Sequence, residues 1–392
     1  VSVVKAFSQR YHQLSPSPIL ALDVQVKKLQ AQGIPVINLC LGEPDFDTPE
    51  NIKQAAIDAI NGGFTHYTPV SGILELRQAI ANKFNTENNL VYQPDEIAVG
   101  VGSRQLAYHA LQILCQPGDE VIIATPTWTS FIEHIKLAGA MPVTIELSPP
   151  FKLTAQEVAT RITPRTTALL LVNPNNPTGA IIEVEELTQI AELAIKHDLW
   201  VLADEIYEKL IYEKQHTSIA SLSPEIKERT LTINAFSKAY AMTGWRLGYA
   251  GGPKALITAI IALQGQTTSN APSMAQKAGI AALTGDQSAV ALMKAEFKRR
   301  RDFIFEAVQN IPGLSLQKPE GAFYAFISLH SILGKKYQTS LEWCSALLAE
   351  ENIAVVPGEA FLAPEYMRLS YAASMEELER AMAGIKKFVE ST

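Results

Sequence analysis

The sequence predicts an α/β protein: a mainly parallel sheet with helices on both faces, followed by a second, smaller α+β domain. Three observations carry that expectation. Short apolar runs alternate with amphipathic helical stretches from about residue 97 to residue 233, the signature of parallel strands joined by crossover helices. After about Gly285 the alternation gives way to one long helical segment and then to strands and helices in a different order. The length of 392 residues, 47% of them apolar, suffices for two or three domains with a sizeable core.

The elements follow in order. Ile19, Leu22, Val26 and Leu29 recur at helical spacing, and Gly33 reads as the cap that ends their helix. A short strand at 36–41 runs into Gly42-Glu43-Pro44, and Asp47-Thr48-Pro49 reads as a helix start with proline at the first helical position. The apolar runs at 97–101, 121–124, 143–147, 167–172, 199–203 and 231–233 are the strands of the main sheet. Stretches such as 183–196 are the helices that cover it. In the second domain a helix over 287–309 leads to an apolar run at 321–329 and a helix over 341–350. Strands at 353–356 and 367–371 and a last helix from Met375 complete it. The expected division is 45–285 for the large domain, with 1–44 joining 286–392 in the small one.

Composition narrows the function. The formal charge is −7, from 33 Lys and Arg against 40 Asp and Glu, so nothing electrostatic favours nucleic acid or an anionic membrane as partner. The basic cluster Lys298-Arg299-Arg300-Arg301 falls in a helical stretch and reads as a solvated face. Cys40, Cys115 and Cys344 make neither a disulfide framework nor a zinc motif, and the seven histidines include no pair at ligand spacing, so no metal site is expected. The first residues lack a signal-peptide pattern, and no run of about 18 apolar residues exists to span a bilayer. A cytoplasmic protein is the expectation.

Ligands of open α/β sheets collect at the carboxyl ends of the strands, and the residues found there are informative. Gly102-Ser103 opens a helix beginning near Gln105; a glycine turn feeding a helix start offers free N–H groups and a positive dipole end, suited to a phosphate. The run Asn173-Pro174-Asn175-Asn176-Pro177-Thr178-Gly179 is a rigid polar loop. Asp204 and Tyr207 follow another strand, and Ser237-Lys238 and then Arg246 follow the last. Singly these are turn formers and surface charges. Together an anion site, a carboxylate, a phenol, a lysine and an arginine at one sheet edge fit a phosphorylated, aromatic, carbonyl-bearing cofactor, with Lys238 as the activated amine.

These residues also carry a resemblance. Asn173 to Gly179, Ala203-Asp204-Glu205-Ile206-Tyr207, Ser237-Lys238-Ala239-Tyr240, Gly244-Trp245-Arg246-Leu247-Gly248-Tyr249 and Arg368-Leu369-Ser370-Tyr371 resemble the motif series of the class I aminotransferases. Gly42-Glu43-Pro44-Asp45-Phe46 and Tyr67-Thr68-Pro69 match as well, so the likeness spans nearly the whole chain, and it is nearest the bacterial and archaeal branch of aspartate aminotransferases. The resemblance implies fold type I of the pyridoxal-phosphate enzymes, with a seven-stranded sheet, and pyridoxal 5'-phosphate held by Lys238 as a Schiff base. It implies that Asp204 pairs with the pyridine nitrogen, that Tyr207 and Asn176 bond the ring oxygen, and that Trp128 stacks on the ring. Gly102, Ser103, Ser237 and Arg246 bind the phosphate, joined by Tyr67 from the neighbouring subunit of a homodimer with shared active sites. Arg368, helped by backbone at Gly42, clamps the substrate α-carboxylate.

The activity so implied is a ping-pong transfer of an amino group from an amino acid to a 2-oxo acid. A lyase or synthase on the same fold shares Lys238, Asp204 and Arg368. A transcriptional regulator built on it asks for a DNA-binding domain upstream, and none is expected before Ser15. One branch of the family pairs the distal carboxylate with an arginine from the segment matching 264–276, which here holds none; the other uses a lysine just after the phosphate turn, where this chain has Arg104. Aspartate or glutamate is therefore the expected donor. An aromatic or glutamine-type activity is the alternative, favoured by the apolar Ile19 in the segment that lines the entrance in this branch.

Overall fold

The computed structural model describes residues 7–12, 14, 15 and 18–391. After a first short strand, β1 (Ile37–Asn38), seven strands form one sheet: β2 (Ile97–Gly100), β3 (Glu120–Thr125), β4 (Met141–Glu146), β5 (Thr166–Val172), β6 (Trp200–Asp204), β7 (Thr230–Ala235) and β8 (Gly248–Gly251). Five more follow: β9 (Ser315–Leu316), β10 (Tyr324–Ser328), β11 (Ile353–Ala354), β12 (Val356–Pro357) and β13 (Tyr366–Ser370). The large sheet has the order β2-β8-β7-β6-β5-β3-β4. Its neighbouring strands are parallel except where β8 meets β2 and β7.

Side chains of successive strand residues point to opposite faces, and the two faces bury different partners. Val121, Ile123, Leu170 and Leu202 pack with Leu106, Leu111, Ile135 and Ile257 from helices Ser103–Leu114, Ser130–Leu137 and Lys254–Thr267. Ile122, Leu169, Leu171 and Val201 pack instead with Leu187 and Ile190 of helix Val184–Lys196. Each such side chain taken fully out of water contributes roughly 1.5–3 kcal/mol. A sheet buried on both faces cannot slip register without exposing one set, so the strand ends are fixed in place.

The smaller domain is an antiparallel sheet in the order β12-β13-β10-β9, covered by helices Ser288–Gln309, Ser340–Glu351 and Met375–Glu390. Thr339 and Ser374 cap the last two helices through their hydroxyls. Ile37 of β1 lies opposite Ile353 of β11, which fastens the N-terminal segment to this domain.

Some expectations need correction. The run at 353–356 is two strands: Ala354 pairs with Asn38, whereas Val356 pairs with Arg368, so the chain changes sheets at Val355. β8 is an additional strand that the apolar runs did not show. Pro49 caps the helix Glu50–Asn61 and does not occupy its first turn, and the helix after Gly102 begins at Ser103, ahead of Gln105. The basic cluster is a solvated face only at Lys298 and Arg299. Arg300 and Arg301 are 5% and 1% exposed, the first paired with Asp45 at 2.7 Å and the second with Glu213 at 2.5 Å and Asp302 at 2.8 Å. Their carboxylates come from distant segments or sit on the same helix, which is what lets two guanidinium groups be buried. The side chain of Ile19 lies outside the described residues.

Candidate active site

The parallel strands present their carboxyl ends at one edge of the sheet. Because β8 runs the other way, its beginning lies at that edge. The reversal delivers Arg246, which precedes β8, to the segments that follow β2, β5, β6 and β7.

From β2 the chain turns at Gly102, with φ +79°, into the helix Ser103–Leu114. A Cβ at Gly102 would stand 2.5 Å from Arg246 Nη2, and one at Gly248 2.5 Å from the Ser103 backbone nitrogen. Only glycine lets the guanidinium and the helix start come together in this way. Unpaired N–H groups, the positive dipole end and an arginine then face one spot, an arrangement that attracts an anion. Ser237 is buried two residues beyond the end of β7.

Lys238 donates from Nζ to the Gly42 carbonyl and lies 5.9 Å from the Phe323 ring centroid. Burial and then the positive charges of Arg368 and Arg246 push its pKa down to about 8, against the pull of Glu43 and Asp204. An amine so depressed is a nucleophile near neutral pH. Asp204, the last residue of β6, is 8% exposed and accepts one hydrogen bond, from the Ile206 N–H at 3.3 Å. No cation pairs with it among the described residues. Burial pushes its pKa up to about 7, opposed by the Ile206 N–H and Lys238.

Arg368 is 2% exposed. It donates from Nη2 to the Cys40 carbonyl at 2.6 Å and from Nη1 to Asn176 Oδ1 at 3.2 Å, and its Nε has no partner. Its guanidinium carbon lies 4.4 Å from the Tyr324 ring centroid and 4.9 Å from that of Phe361. Among the described residues no carboxylate pairs with it. A buried guanidinium is normally matched by an acid, so this one is built to receive an anion from outside the chain. Tyr207, fully enclosed, holds its hydroxyl 2.8 Å from that of Tyr324, and burial lifts its pKa well above the usual phenol value.

Trp128 lies between β3 and helix Ser130–Leu137, with the Arg104 guanidinium 4.3 Å from its ring centroid. Arg104 itself has no ion pair among the described residues. Partial burial of its head, then Arg246, lower its pKa, though a guanidinium remains charged. Tyr67 stands apart: its side chain is 91% exposed and makes no hydrogen bond among the described residues.

Three features escaped the sequence reading. Tyr324 became visible only when the β10–β13 register placed it near Arg368. Gln264 and Gln276, at the ends of the segment read for an arginine, are buried supports of the Tyr67 loop. Gln264 donates to the Val70 and Val99 carbonyls at 2.8 and 2.9 Å, and Gln276 bonds Thr68 at 2.9 Å and the Ile73 N–H at 2.8 Å. Behind Asp204, Glu205, Glu208 and His216 gather their ligand-type atoms within 4.8 Å of one another. Lys83 is already paired with Glu208, and Ser218 donates to Glu205 at 2.7 Å. Burial would raise the Glu208 pKa, but Lys83 and His216 outweigh it and hold the carboxyl at about 2.

Comparison with known proteins places the chain in a family. Residues 34–385 match the family described as "Aminotransferase class I and II". The aspartate aminotransferase of Bacillus sp. (strain YM-2) is 44% identical over 386 residues, which cover 97% of this chain and 98% of that protein. The crystal structure of the aspartate aminotransferase from Rhizobium meliloti superposes with a TM-score of 0.95 at 41% identity, covering 99% of both chains. That of Thermus thermophilus with maleate superposes at 0.94 and 39%, covering 98% of this chain and all 100% of the other. The large mixed sheet, the smaller sheet domain and these likenesses together make the chain a member of the class I and II aminotransferase family, with the fold of type I pyridoxal-phosphate enzymes.

Proposed function

We propose that the protein transfers an amino group from a dicarboxylic amino acid, aspartate or glutamate, to a 2-oxo acid, using pyridoxal phosphate held at Lys238 in a homodimer. The observation that carries this reading is Arg368, buried with no paired acid among the described residues and bonded to Asn176. A carboxylate held there bidentately would complete its charge. The relatives named as aspartate aminotransferases support the donor class, and one of them is named with maleate, a dicarboxylate. Arg104, over the Trp128 ring and in no ion pair among the described residues, is the group we assign to the distal carboxylate.

The residues present fit the cofactor. A lysine of lowered pKa, a buried carboxylate with no paired cation among the described residues, and a glycine-lined anion cradle lie together at one edge of the sheet. Gly102, Ser103, Ser237 and Arg246 would hold the phosphate, with Tyr67 of a second copy. Asp204 would face the pyridine nitrogen, Tyr207 and Asn176 the ring oxygen, and Trp128 the ring face. When bound, the group supplies an electron sink and carries the amine between the two halves of the reaction. Lys238 Nζ would take the proton from the substrate Cα and hand it to the cofactor carbon that bears the amine, reversing the transfer in the second half-reaction, while Arg368 would fix the bond to be broken by orienting the carboxylate. We place the large domain at 45–285 and the small one at 1–44 with 286–392; the β1–β11 pairing supports that grouping.

The test is to incubate the protein with pyridoxal phosphate and aspartate and then add 2-oxoglutarate. The reading expects oxaloacetate in the first step and glutamate only in the second. Product that forms catalytically with no amino acceptor would identify a lyase instead.

A further inference from the structure

We propose that Tyr324 is a positioning residue of this site: its hydroxyl donates to the Tyr207 hydroxyl, and its ring couples that bond to the occupancy of Arg368. The inference rests on the function proposed above and goes beyond it by linking the carboxylate clamp to the phenol that faces the cofactor oxygen.

The placement follows from the register. Phe326 of β10 lies opposite Arg368 of β13, so Tyr324, two residues earlier on the same face, is the diagonal neighbour of the arginine. The Arg368 guanidinium carbon accordingly lies 4.4 Å from the Tyr324 ring centroid. Tyr207 comes from the other domain, on the segment that follows β6, and the two hydroxyl oxygens are 2.8 Å apart. Tyr324 and Tyr207 are 1% and 3% exposed, so water does not compete for the bond. Gly42 closes the other side: a Cβ there would stand 2.9 Å from Tyr324 Oη.

A pair of phenols has one hydrogen bond to share, and its direction decides what Tyr207 can do. If Tyr207 donated to Tyr324, its proton would be committed. Burial raises both phenols and the Arg368 charge acts on both, but the guanidinium lies over the Tyr324 ring, 4.4 Å from its centroid, and on that placement we assign Tyr324 as the donor. Tyr207 therefore accepts, and its own O–H stays free for the cofactor oxygen. A carboxylate bound to Arg368 offsets that charge, weakens the Tyr324 donor and, through it, Tyr207.

The test compares native protein with Tyr324→Phe, which keeps the ring and removes the hydroxyl. With pyridoxal phosphate bound, the pH midpoint of the visible absorption band should rise by about 0.1–0.3 unit in Tyr324→Phe, the share of one hydrogen bond that cooperativity passes through Tyr207. The shift that maleate produces in native protein should be smaller in the variant. In cofactor-free protein labelled at tyrosine Cζ, maleate should move the Tyr207 resonance in the native chain and much less in Tyr324→Phe. Retained maleate affinity and melting temperature in the variant would show that the ring and the fold are intact. An unchanged midpoint, or a Tyr207 resonance that maleate moves equally in both proteins, overturns the proposal. A native protein that shows no cofactor band at all would overturn the function reading, and the proposal with it.

Discussion

Asp204 and Lys238 are a buried acid and a buried base whose pKa values burial has driven toward each other, to about 7 and about 8. Between pH 3.8 and about 7 the folded chain holds a proton on Asp204 that the unfolded chain has lost. The contribution of that proton to stability is therefore complete at low pH and gone once the pH has risen through 7. In the cofactor-free protein, Asp204→Asn should be more stable than the native chain at about pH 8, by on the order of 4 kcal/mol. The advantage should vanish as the pH falls toward 4, and urea denaturation across that range measures it. Arg104 supports a second expectation. Losing a charge-assisted pair to a substrate carboxylate costs about 2–5 kcal/mol, so Arg104→Ala should depress kcat/KM steeply for aspartate and little for phenylalanine. Equal losses for both donors would make the residue structural. At this scale the sequence was most legible where a residue type is chemically scarce after a strand, as with Lys238 and Asp204. It was silent on Tyr324, because nothing short of the strand register says which aromatic lies over an arginine.

Among the elements, the loop Asn173 to Gly179 is held from both domains. The Gly179 carbonyl accepts from the N–H groups of Glu320 and Gly321, at 3.0 and 2.9 Å, and Asn176 meets Arg368. Glu320 also anchors a group of four charges. Lys152 lies 2.8 Å from it, Lys214 likewise at 2.8 Å, and both lysines pair with Glu183. Burial alone would raise the Glu320 pKa, but the two lysines outweigh it and hold it below the usual carboxylate value. Glu320→Ala would leave two ammonium groups to one glutamate, with an expected loss of roughly 2 kcal/mol that shrinks in high salt. Chemical denaturation at low and high ionic strength checks this. The helices and the parallel strands were readable because their apolar periods are long. β8 was not, since Gly248-Tyr249-Ala250-Gly251 has the composition of a turn. Its first glycine is there because the helix start at Ser103 leaves no room for a Cβ. The element that escaped notice is thus the one shaped by the site.

For the whole molecule, the exposed Tyr67 and its braced loop bear on assembly. If Tyr67 completes the site of a second copy, a dimer formed from Lys238→Ala and Tyr67→Phe subunits carries both lesions in one site and neither in the other. Each hybrid should then carry half the activity of a native dimer, so an equal mixture after random exchange should approach about a quarter of native activity. Verified subunit exchange without recovery would place Tyr67 outside the neighbouring site. The start of the second sheet was legible as a change of texture after Gly285, whereas the pairing of β1 with β11 was not, since a strand of two residues gives no period to read. A last consequence follows from the buried, acid-free guanidinium of Arg368. No acid among the described residues offsets its charge, so an anion that binds it links its own binding to the stability of the fold. A carboxylate present at 100 times its Kd adds about 2.7 kcal/mol to the folded state. On the proposed reading, the guanidinium and a substrate carboxylate are the two halves of one salt, and the fold is most stable when both are in place.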